Sequence, residues 1–254
     1  MFQVDPYEPI GTLKPLARDI WIVDGPVIGM KWLGLRLPFP TRMTIVRLAD
    51  GGLWVHSPVA ITQALKAEVD ALGPVRFIVA PNKIHYWWVG EWRTAYPDAI
   101  AFATPRVEEK AGPHGISFDR ELTDAPETNW AGEIDQVLVP GRFLTEAVFF
   151  HRASATLILT DLIENFEMKK VPGAFFRFVL RITGVAHPHG AMPKDLRATF
   201  AGHKQDVKRA VETMIGWAPA RIVIAHGRCY EGNAVAELRR AFRWAGIRET
   251  AGSA

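Results

Sequence analysis

The stretch Val75-Arg-Phe-Ile-Val-Ala80, followed by Pro81-Asn-Lys-Ile-His85, decides the fold that the sequence predicts. Its first six residues are almost entirely apolar, which is typical of a strand buried in a sheet that helices cover. The strand stops at a proline, and polar side chains follow at once. In open α/β sheets, ligands gather beyond the carboxyl ends of strands. This boundary therefore predicts a functional site as well as a strand.

Two later apolar strands end in the same way. Residues 157–159 are followed two positions later by Asp161, and residues 222–225 are followed directly by His226. Together with His85, these side chains stand at three strand ends. Imidazole and carboxylate groups are ligands that suit Zn, Fe or Mn. The sequence predicts that the three residues form one site.

Each of these residues has a structural role as the alternative. His226 precedes a glycine and fits a hydrogen-bonded turn, and Asp161 fits a cap for the segment that begins at Leu162. His85 stands among aromatic residues and fits a buried core position. Lys83 should meet Asp161 or a substrate anion if it points into the same space, because lysine is rarely buried unpaired. A pair with Asp161 would replace the charge of a metal ion. The alternative is an exposed lysine on a loop.

The surrounding pattern favours a layered α/β sandwich. Residues 19–24 are predicted to form a strand that ends at Gly25-Pro26. Residues 44–48 and 53–56 are predicted to form a hairpin, and residues 61–72 repeat apolar side chains at helical spacing after a predicted cap at Ser57. Strands then alternate with helices. No linker rich in Gly, Ser or Pro divides the chain, so we predict one domain over residues 1–254.

The segment 164–203 interrupts the alternation. It is rich in phenylalanine and carries Lys169, Lys170, Arg177 and Arg181. We predict a helical insertion that serves as a lid or as a piece of the core. An interfacial amphipathic helix and a homodimer contact are the alternatives.

Composition and charge exclude several classes of protein. Thirty Lys and Arg against 27 Asp and Glu give a net charge of +3, without the basic run or face that nucleic-acid binders use. The chain has one cysteine, Cys229, so it forms no internal disulfide. No apolar run approaches the roughly 18 residues of a membrane span, and the first residues do not resemble a signal peptide. We expect a cytoplasmic protein with no nucleic-acid partner and no stable membrane insertion.

The order of elements, with Asp161 and His226 after apolar strands, resembles the metallo-β-lactamase superfamily over residues 15–230. The most specific strings are Ala80-Pro-Asn-Lys-Ile-His85, Phe149-Phe-His151, Leu159-Thr-Asp-Leu-Ile-Glu-Asn165 and Gly190-Ala-Met-Pro-Lys-Asp195. These strings are similar to an uncharacterised bacterial branch of the superfamily. The resemblance implies an αββα sandwich.

The metal-binding motif of that superfamily is degenerate here. Its usual form is His-x-His-x-Asp-His, followed by a later His, a bridging Asp and a last His. Placing His85 on the second His puts Lys83 on the first, Trp87 on the Asp and Trp88 on the last His of the motif. No histidine occupies residues 135–146, where the later ligand is expected. The usual site for two metal ions cannot be assembled.

What remains is His85, Asp161 and His226, and three ligands still hold one metal ion with a position open for water. The resemblance implies a hydrolase of an ester, lactone, amide or phosphoester, and we favour this enzyme. In it, Asp161 acts in catalysis, and Lys83 or Tyr86 stabilises the developing oxyanion. The alternative is a protein that keeps the fold without the metal and binds a small molecule or regulates a partner. Acid–base catalysis by Asp161 and His226 without an ion lies between the two. The neighbouring tryptophans favour a partly apolar ligand in every case.

Four further histidines have weaker claims to the site. His56 follows a strand where the superfamily often has an Asp that orients a ligand. His151 lies in a strand turn and is predicted to be a surface residue. His187 and His189 have the spacing of a ligand pair, but a proline separates them.

Overall fold

The computed structural model describes residues 2–32 and 35–248. The first sheet contains, in spatial order, β1 (Lys14–Ala17), β2 (Ile20–Trp32), β3 (Leu35–Arg47), β4 (Leu53–His56), β5 (Val75–Ala80), β6 (Ile100–Ala103) and β7 (Arg120–Glu121). The second sheet contains β8 (Ile134–Val139), β9 (Glu146–His151), β10 (Thr156–Ile158) and β11 (Arg221–Val223), in the order β11-β10-β9-β8. The helices are α1 (Gln63–Asp70), α2 (Val89–Ala95), α3 (Val107–Ala111), α4 (Ala174–Thr183), α5 (Lys204–Gly216) and α6 (Ala234–Ala241).

The two sheets pack against each other, and helices cover both outer surfaces. Helices α1 to α3 pack on the first sheet through a core that includes Leu65 and Trp92. Helices α5 and α6 pack on the second sheet through Val211 and Leu238. The predicted αββα sandwich is therefore confirmed.

The position of β5 in the sheet explains why its sequence is almost entirely apolar. It lies between β4 and β6 and runs parallel to both. Ile78 packs toward the helices on one face of the sheet, whereas Phe77 and Val79 pack toward the second sheet on the other. A strand buried on both faces needs apolar residues at successive positions.

The start of α1 differs from the prediction. Thr62 caps the helix by accepting a hydrogen bond from the backbone N–H of Leu65, and the helix begins at Gln63. Ser57, the predicted cap, lies five residues earlier with a left-handed φ of 52°. Its hydroxyl contacts His85 instead. The prediction was wrong because a Ser-Pro pair is typical of a helix start but also suits a loop that leaves a strand.

Strands β2 and β3 are longer than predicted. The sequence shows a strand that stops at Gly25-Pro26, because these residues commonly end strands. In the structure the register between β2 and β3 shifts between Asp24 and Val27, so the Gly-Pro pair occupies a bulge and β2 continues to Trp32. The resulting long hairpin extends beside the site described below.

The Phe-rich insertion is helical, as predicted, and its main element is α4. Phe176 and Leu180 on this helix are buried in a small core with Phe166 and Val185. No helix in residues 2–32 or 35–248 has the length and apolar character needed to cross a membrane.

An aromatic cluster fills the space between the two sheets. The ring of Trp54 from β4 meets the ring of Phe149 from β9 edge-on, with centroids 4.9 Å apart. Trp130 meets Phe102 in the same way at 4.8 Å. All four side chains are fully buried. Edge-to-face pairs of this kind stabilise a core beyond the area that they bury, and here they join the two layers.

The substitution Phe149→Ala should lower the free energy of unfolding by about 3–5 kcal/mol, since it leaves a cavity between the sheets. Urea denaturation of the purified protein measures this. Phe178→Ala is the matched control, because its side chain is 57% exposed, and it should change stability by less than about 0.5 kcal/mol. Equal effects of the two substitutions would contradict the assigned packing.

Candidate metal centre

His85, Asp161 and His226 meet at one point. His85 follows β5 of the first sheet, and the other two residues follow β10 and β11 of the second. His85 Nε2 lies 3.2 Å from Asp161 Oδ2, and His226 Nε2 lies 3.2 Å from Asp161 Oδ1. The two Nε2 atoms are also 3.2 Å apart. All three side chains are at most 8% exposed. The three residues that follow strand ends in the sequence therefore lie together in the structure.

The hydrogen bonds of His226 determine which of its ring nitrogens carries hydrogen. Its Nδ1 lies 2.7 Å from the carbonyl oxygen of Pro40, and a carbonyl oxygen only accepts, so Nδ1–H donates. A neutral His226 then presents a lone pair at Nε2, toward a carboxylate of Asp161 that also has only lone pairs. These lone pairs repel at 3.2 Å unless a hydrogen or a cation lies among them. A metal ion bound by all three residues supplies such a cation, and the alternative is a hydrogen on Nε2 of His85.

Ser57 positions the other imidazole. Its hydroxyl lies 2.7 Å from His85 Nδ1, which leaves Nε2 directed at the shared point. Outer contacts of this kind orient ligating histidines in metal sites. Ser57 was predicted to be a helix cap, and its contact with His85 was not predicted.

Two further residues hold Asp161. The amide of Asn82 donates to Asp161 Oδ2 at 2.7 Å. The carboxylate of Glu146 accepts from the backbone N–H groups of Thr160 and Asp161 at 2.8 and 2.9 Å. The carboxylate of Asp161 is directed at Asn82 and the two imidazoles.

The buried carboxyl groups influence each other. Burial, together with the charge of Asp161, raises the pKa of Glu146 to about 7. Burial alone would also raise the pKa of Asp161, but the adjacent imidazoles of His85 and His226 outweigh it and lower that pKa below its ordinary value. Of the two carboxyl groups, Asp161 therefore keeps its negative charge more readily than Glu146.

The turn that carries His226 is attached to the first sheet by Arg42 on β3. The buried guanidinium of Arg42 donates to the carbonyl oxygens of Ile224 at 2.6 Å and Gly227 at 2.8 Å. It also forms a buried ion pair with Asp24 at 2.7 Å. Gly227 has a φ of 109°, and a Cβ there would lie 2.2 Å from the backbone oxygen of Asn165, so the turn requires glycine.

A cleft of about 930 Å³ opens beside the three residues. The β2–β3 hairpin forms one wall and α4 forms another. Its apolar lining includes Ile28, Met30, Leu37, Phe39, Trp87, Trp88, Phe143, Phe166, Phe176, Val179 and Leu180. Its acidic lining includes Asp161 and Glu164. Burial, together with Asp161 and Asp195, raises the pKa of Glu164 well above its ordinary value.

A family model described as a domain of unknown function, DUF4336, matches residues 19–175. The chain belongs to this family. No match is found among curated protein sequences.

Solved structures with the same fold as this DUF4336 protein include metallo-β-lactamases. One from Erythrobacter litoralis has a TM-score of 0.62 and 14% identity, over 92% of this chain and 95% of that one. FIM-1 from Pseudomonas aeruginosa, in a mono-zinc form, has a TM-score of 0.60 and 15% identity, over 96% of both chains. One from Pontibacter korlensis has a TM-score of 0.60 and 11% identity, over 91% and 98%. The predicted metallo-β-lactamase fold of this DUF4336 protein is confirmed.

The two residues predicted to stabilise an oxyanion lie in different surroundings. The ammonium of Lys83 lies 3.6 Å from the ring centroid of Phe143 at the cleft wall, and it forms no ion pair with Asp161. Burial, with the charges of Arg106 and Lys110, lowers the pKa of Lys83. Tyr86 is 1% exposed. Its hydroxyl faces the carbonyl oxygen of Lys110 at 3.4 Å.

Among the described residues, the cluster able to hold a metal ion contains none of the other histidines. His151 is 2% exposed and pairs with Ser154, so the prediction of a surface residue was wrong. His187 and His189 flank Pro188 in the insertion. Within the described part of the chain, the metal-binding cluster contains neither of them. His56 is buried, and its Nε2 has no hydrogen-bond partner. Ser57, rather than His56, contacts the ligand imidazole.

Removing the guanidinium with Arg42→Met should lower the free energy of unfolding by about 3 kcal/mol or more, because it breaks a buried ion pair and frees two buried carbonyl groups. The matched control is Arg47→Met, which breaks the half-exposed pair with Asp19 and should cost at most about 1 kcal/mol. Urea denaturation distinguishes the two. A cost for Arg42→Met no larger than that for Arg47→Met would show that Arg42 does not hold the turn.

Burial, with a smaller contribution from His85, lowers the pKa of His56 to about 3. The unfolded chain takes up this proton near pH 6.5 and the folded chain does not. His56 therefore makes stability fall, by up to about 1.4 kcal/mol per pH unit, as pH decreases from 6.5 toward 3. His56→Phe should make the unfolding free energy less dependent on pH over this window, as measured by urea denaturation at each pH. An unchanged pH dependence in the variant would show that His56 is protonated in the folded state.

Proposed function

We propose that this protein is a metal-dependent hydrolase with a single metal ion held by His85, Asp161 and His226. The observation that carries the proposal is the meeting of two imidazole nitrogens and a carboxylate within 3.2 Å, with all three side chains nearly buried, in a cluster able to hold a metal ion. Two neutral imidazoles and one carboxylate form a common ligand set for Zn, Fe or Mn. The mono-zinc form of FIM-1, a protein of the same fold, is consistent with a site for one ion.

The spacing of the donors supports a metal ion of this size. Ligand atoms about 2.0–2.1 Å from a tetrahedral zinc ion stand roughly 3.3 Å apart. The three separations here, 3.2 Å each, are close to that value. Asp161 directs one oxygen toward each imidazole, so it can ligate through either oxygen or both.

A bound ion would lower the pKa of a water molecule at its open position and so supply a nucleophile near neutral pH. The chain's own groups prepare that position. Ser57 and the carbonyl of Pro40 orient the imidazoles, and Asn82 orients the carboxylate. Glu164 lines the cleft beside Asp161 and, with its raised pKa, can hold a proton there for a leaving group.

We propose Lys83 as the cation that stabilises negative charge on the substrate. Its ammonium lies on Phe143, which lines the cleft, and its stem is flexible. Tyr86 remains a second candidate, although its hydroxyl would first have to leave the carbonyl of Lys110. The apolar walls favour an ester, lactone, amide or phosphoester with a large apolar group.

A second candidate function is non-catalytic binding of a small apolar molecule. Trp87 and Trp88 line the cleft at the positions that correspond to two motif ligands, which favours this function over a site for two metal ions. In this case a hydrogen on an imidazole nitrogen, rather than a metal ion, faces Asp161.

Elemental analysis of the purified protein distinguishes the two functions. We expect near-stoichiometric Zn, Fe or Mn in the wild type and its loss in His226→Ala, because two remaining ligands hold a metal weakly. His189→Ala, at an exposed histidine outside the cluster, is the matched control and should retain the metal. The loaded protein should then hydrolyse esters, lactones or phosphoesters with apolar groups.

Absence of metal after supplementation would contradict the hydrolase and favour the binding protein. Metal retained in His226→Ala would show that the ion is held elsewhere.

A further inference from the structure

The exposed apolar side chains of this protein are concentrated around the cleft. The described residues include six large apolar side chains that are exposed, and two of them, Trp87 and Phe143, line the cleft. Three more lie on α4, the helix that forms a cleft wall: Phe175, Phe178 and Ile182, which are 68%, 57% and 50% exposed. Single exposed apolar residues are ordinary, but a cluster marks an interaction surface.

Helix α4 is apolar on two sides. Phe176, Val179 and Leu180 face the cleft. Phe175, Phe178 and Ile182, spaced three and four residues apart, form a second apolar row, which we call the outer stripe. A helix that is apolar on both sides is usually covered on both. The small core with Phe166 and Val185 covers one side of α4. On the outer stripe only Phe175 has an aromatic neighbour, Phe2, and all three side chains remain at least half exposed, so we expect a partner there.

The charge around the outer stripe identifies the chemistry of that partner. Residues 168–194 contain five Lys or Arg and no Asp or Glu. This segment alone carries more positive charge than the net +3 of the whole chain, so the remainder is slightly acidic. Arg181 is exposed next to Ile182. The side chain of Lys169 is 74% exposed and forms an ion pair with Glu167, which is only 9% exposed. The partner should therefore be apolar inside and negatively charged at its surface.

An anionic lipid bilayer has both properties, whereas a second copy of the chain does not. In a two-fold dimer the same patch meets itself, which would bring two sets of these cations together. An amphipathic helix with large apolar residues and flanking Lys or Arg binds the interface of anionic bilayers.

We propose that the outer stripe docks on the surface of an anionic lipid bilayer, with α4 lying in the interface. The opposite side of α4 lines the cleft, so an apolar molecule can move from the lipid into the cleft along this helix. The transfer of substrate rests on the proposed function, but the docking does not.

Co-sedimentation of the full chain with lipid vesicles tests the docking. The chain should bind vesicles of phosphatidylcholine with phosphatidylglycerol more tightly than vesicles of phosphatidylcholine alone, and added salt should weaken this binding. Phe178→Ser with Ile182→Ser should reduce binding roughly tenfold or more. Ile10→Ser, at an apolar residue of 39% exposure outside the stripe, is the matched control and should bind as the wild type does.

The contribution of charge is tested by Arg181→Glu, which should weaken binding to the anionic vesicles. Its control is Arg18→Glu, in the turn between β1 and β2, where the side chain is 91% exposed. This substitution should leave binding nearly unchanged. Circular dichroism and urea denaturation verify that each variant is folded, as expected for exposed positions.

Three results would overturn the docking. One is the absence of binding to either kind of vesicle, and another is equal binding by the stripe variant and the wild type. The third is a dimer in solution that Phe178→Ser dissociates, which would show that a second copy covers the stripe. Vesicle binding is measured without turnover or metal, so failure of the docking is separate from failure of the hydrolase proposal.

Discussion

A single buried guanidinium joins the two sheets at the edge where the site lies. Arg42 stands on β3 of the first sheet and binds the backbone that follows β11 of the second. Its charge is balanced by Asp24, one strand away, so the contact does not leave a buried ion unpaired. His226 lies inside the turn that Arg42 holds, and its imidazole is fixed by Pro40 on the same strand as Arg42. The position of one ligand relative to the others therefore depends on the docking of the two sheets.

The sequence predicted the groups at the centre of the site and missed the groups that position them. His85, Asp161 and His226 each follow an apolar strand, and this local pattern is visible without a structure. Ser57 and Glu146 have no such pattern. Glu146 reaches the backbone of Thr160 and Asp161 only because β9 lies beside β10. Contacts between residues distant in the chain depend on the sheet order, which periodicity does not determine.

The fold was predicted better than the lengths of its parts. The αββα layers follow from the alternation of strands and helices, but β2 and β3 extend well beyond the predicted strands because a bulge accommodates Gly25-Pro26. This extension has a functional result, since the hairpin supplies one wall of the cleft. Glycine and proline mark an interruption in a strand, but they do not tell whether the strand stops or continues after a bulge. The insertion was predicted to be helical, and only the structure separates the two apolar sides of α4.

The distribution of the three ligands between the sheets has a consequence for how the molecule assembles. Neither sheet alone contains the complete set, since His85 comes from one and the other two residues come from the other. An ion that needs all three residues would bind only when the two sheets are packed together. It would therefore stabilise the packing of one sheet on the other. The same three side chains would then serve two purposes at once. They would form the reaction site, and they would bind the ion only in a chain whose two sheets have packed correctly.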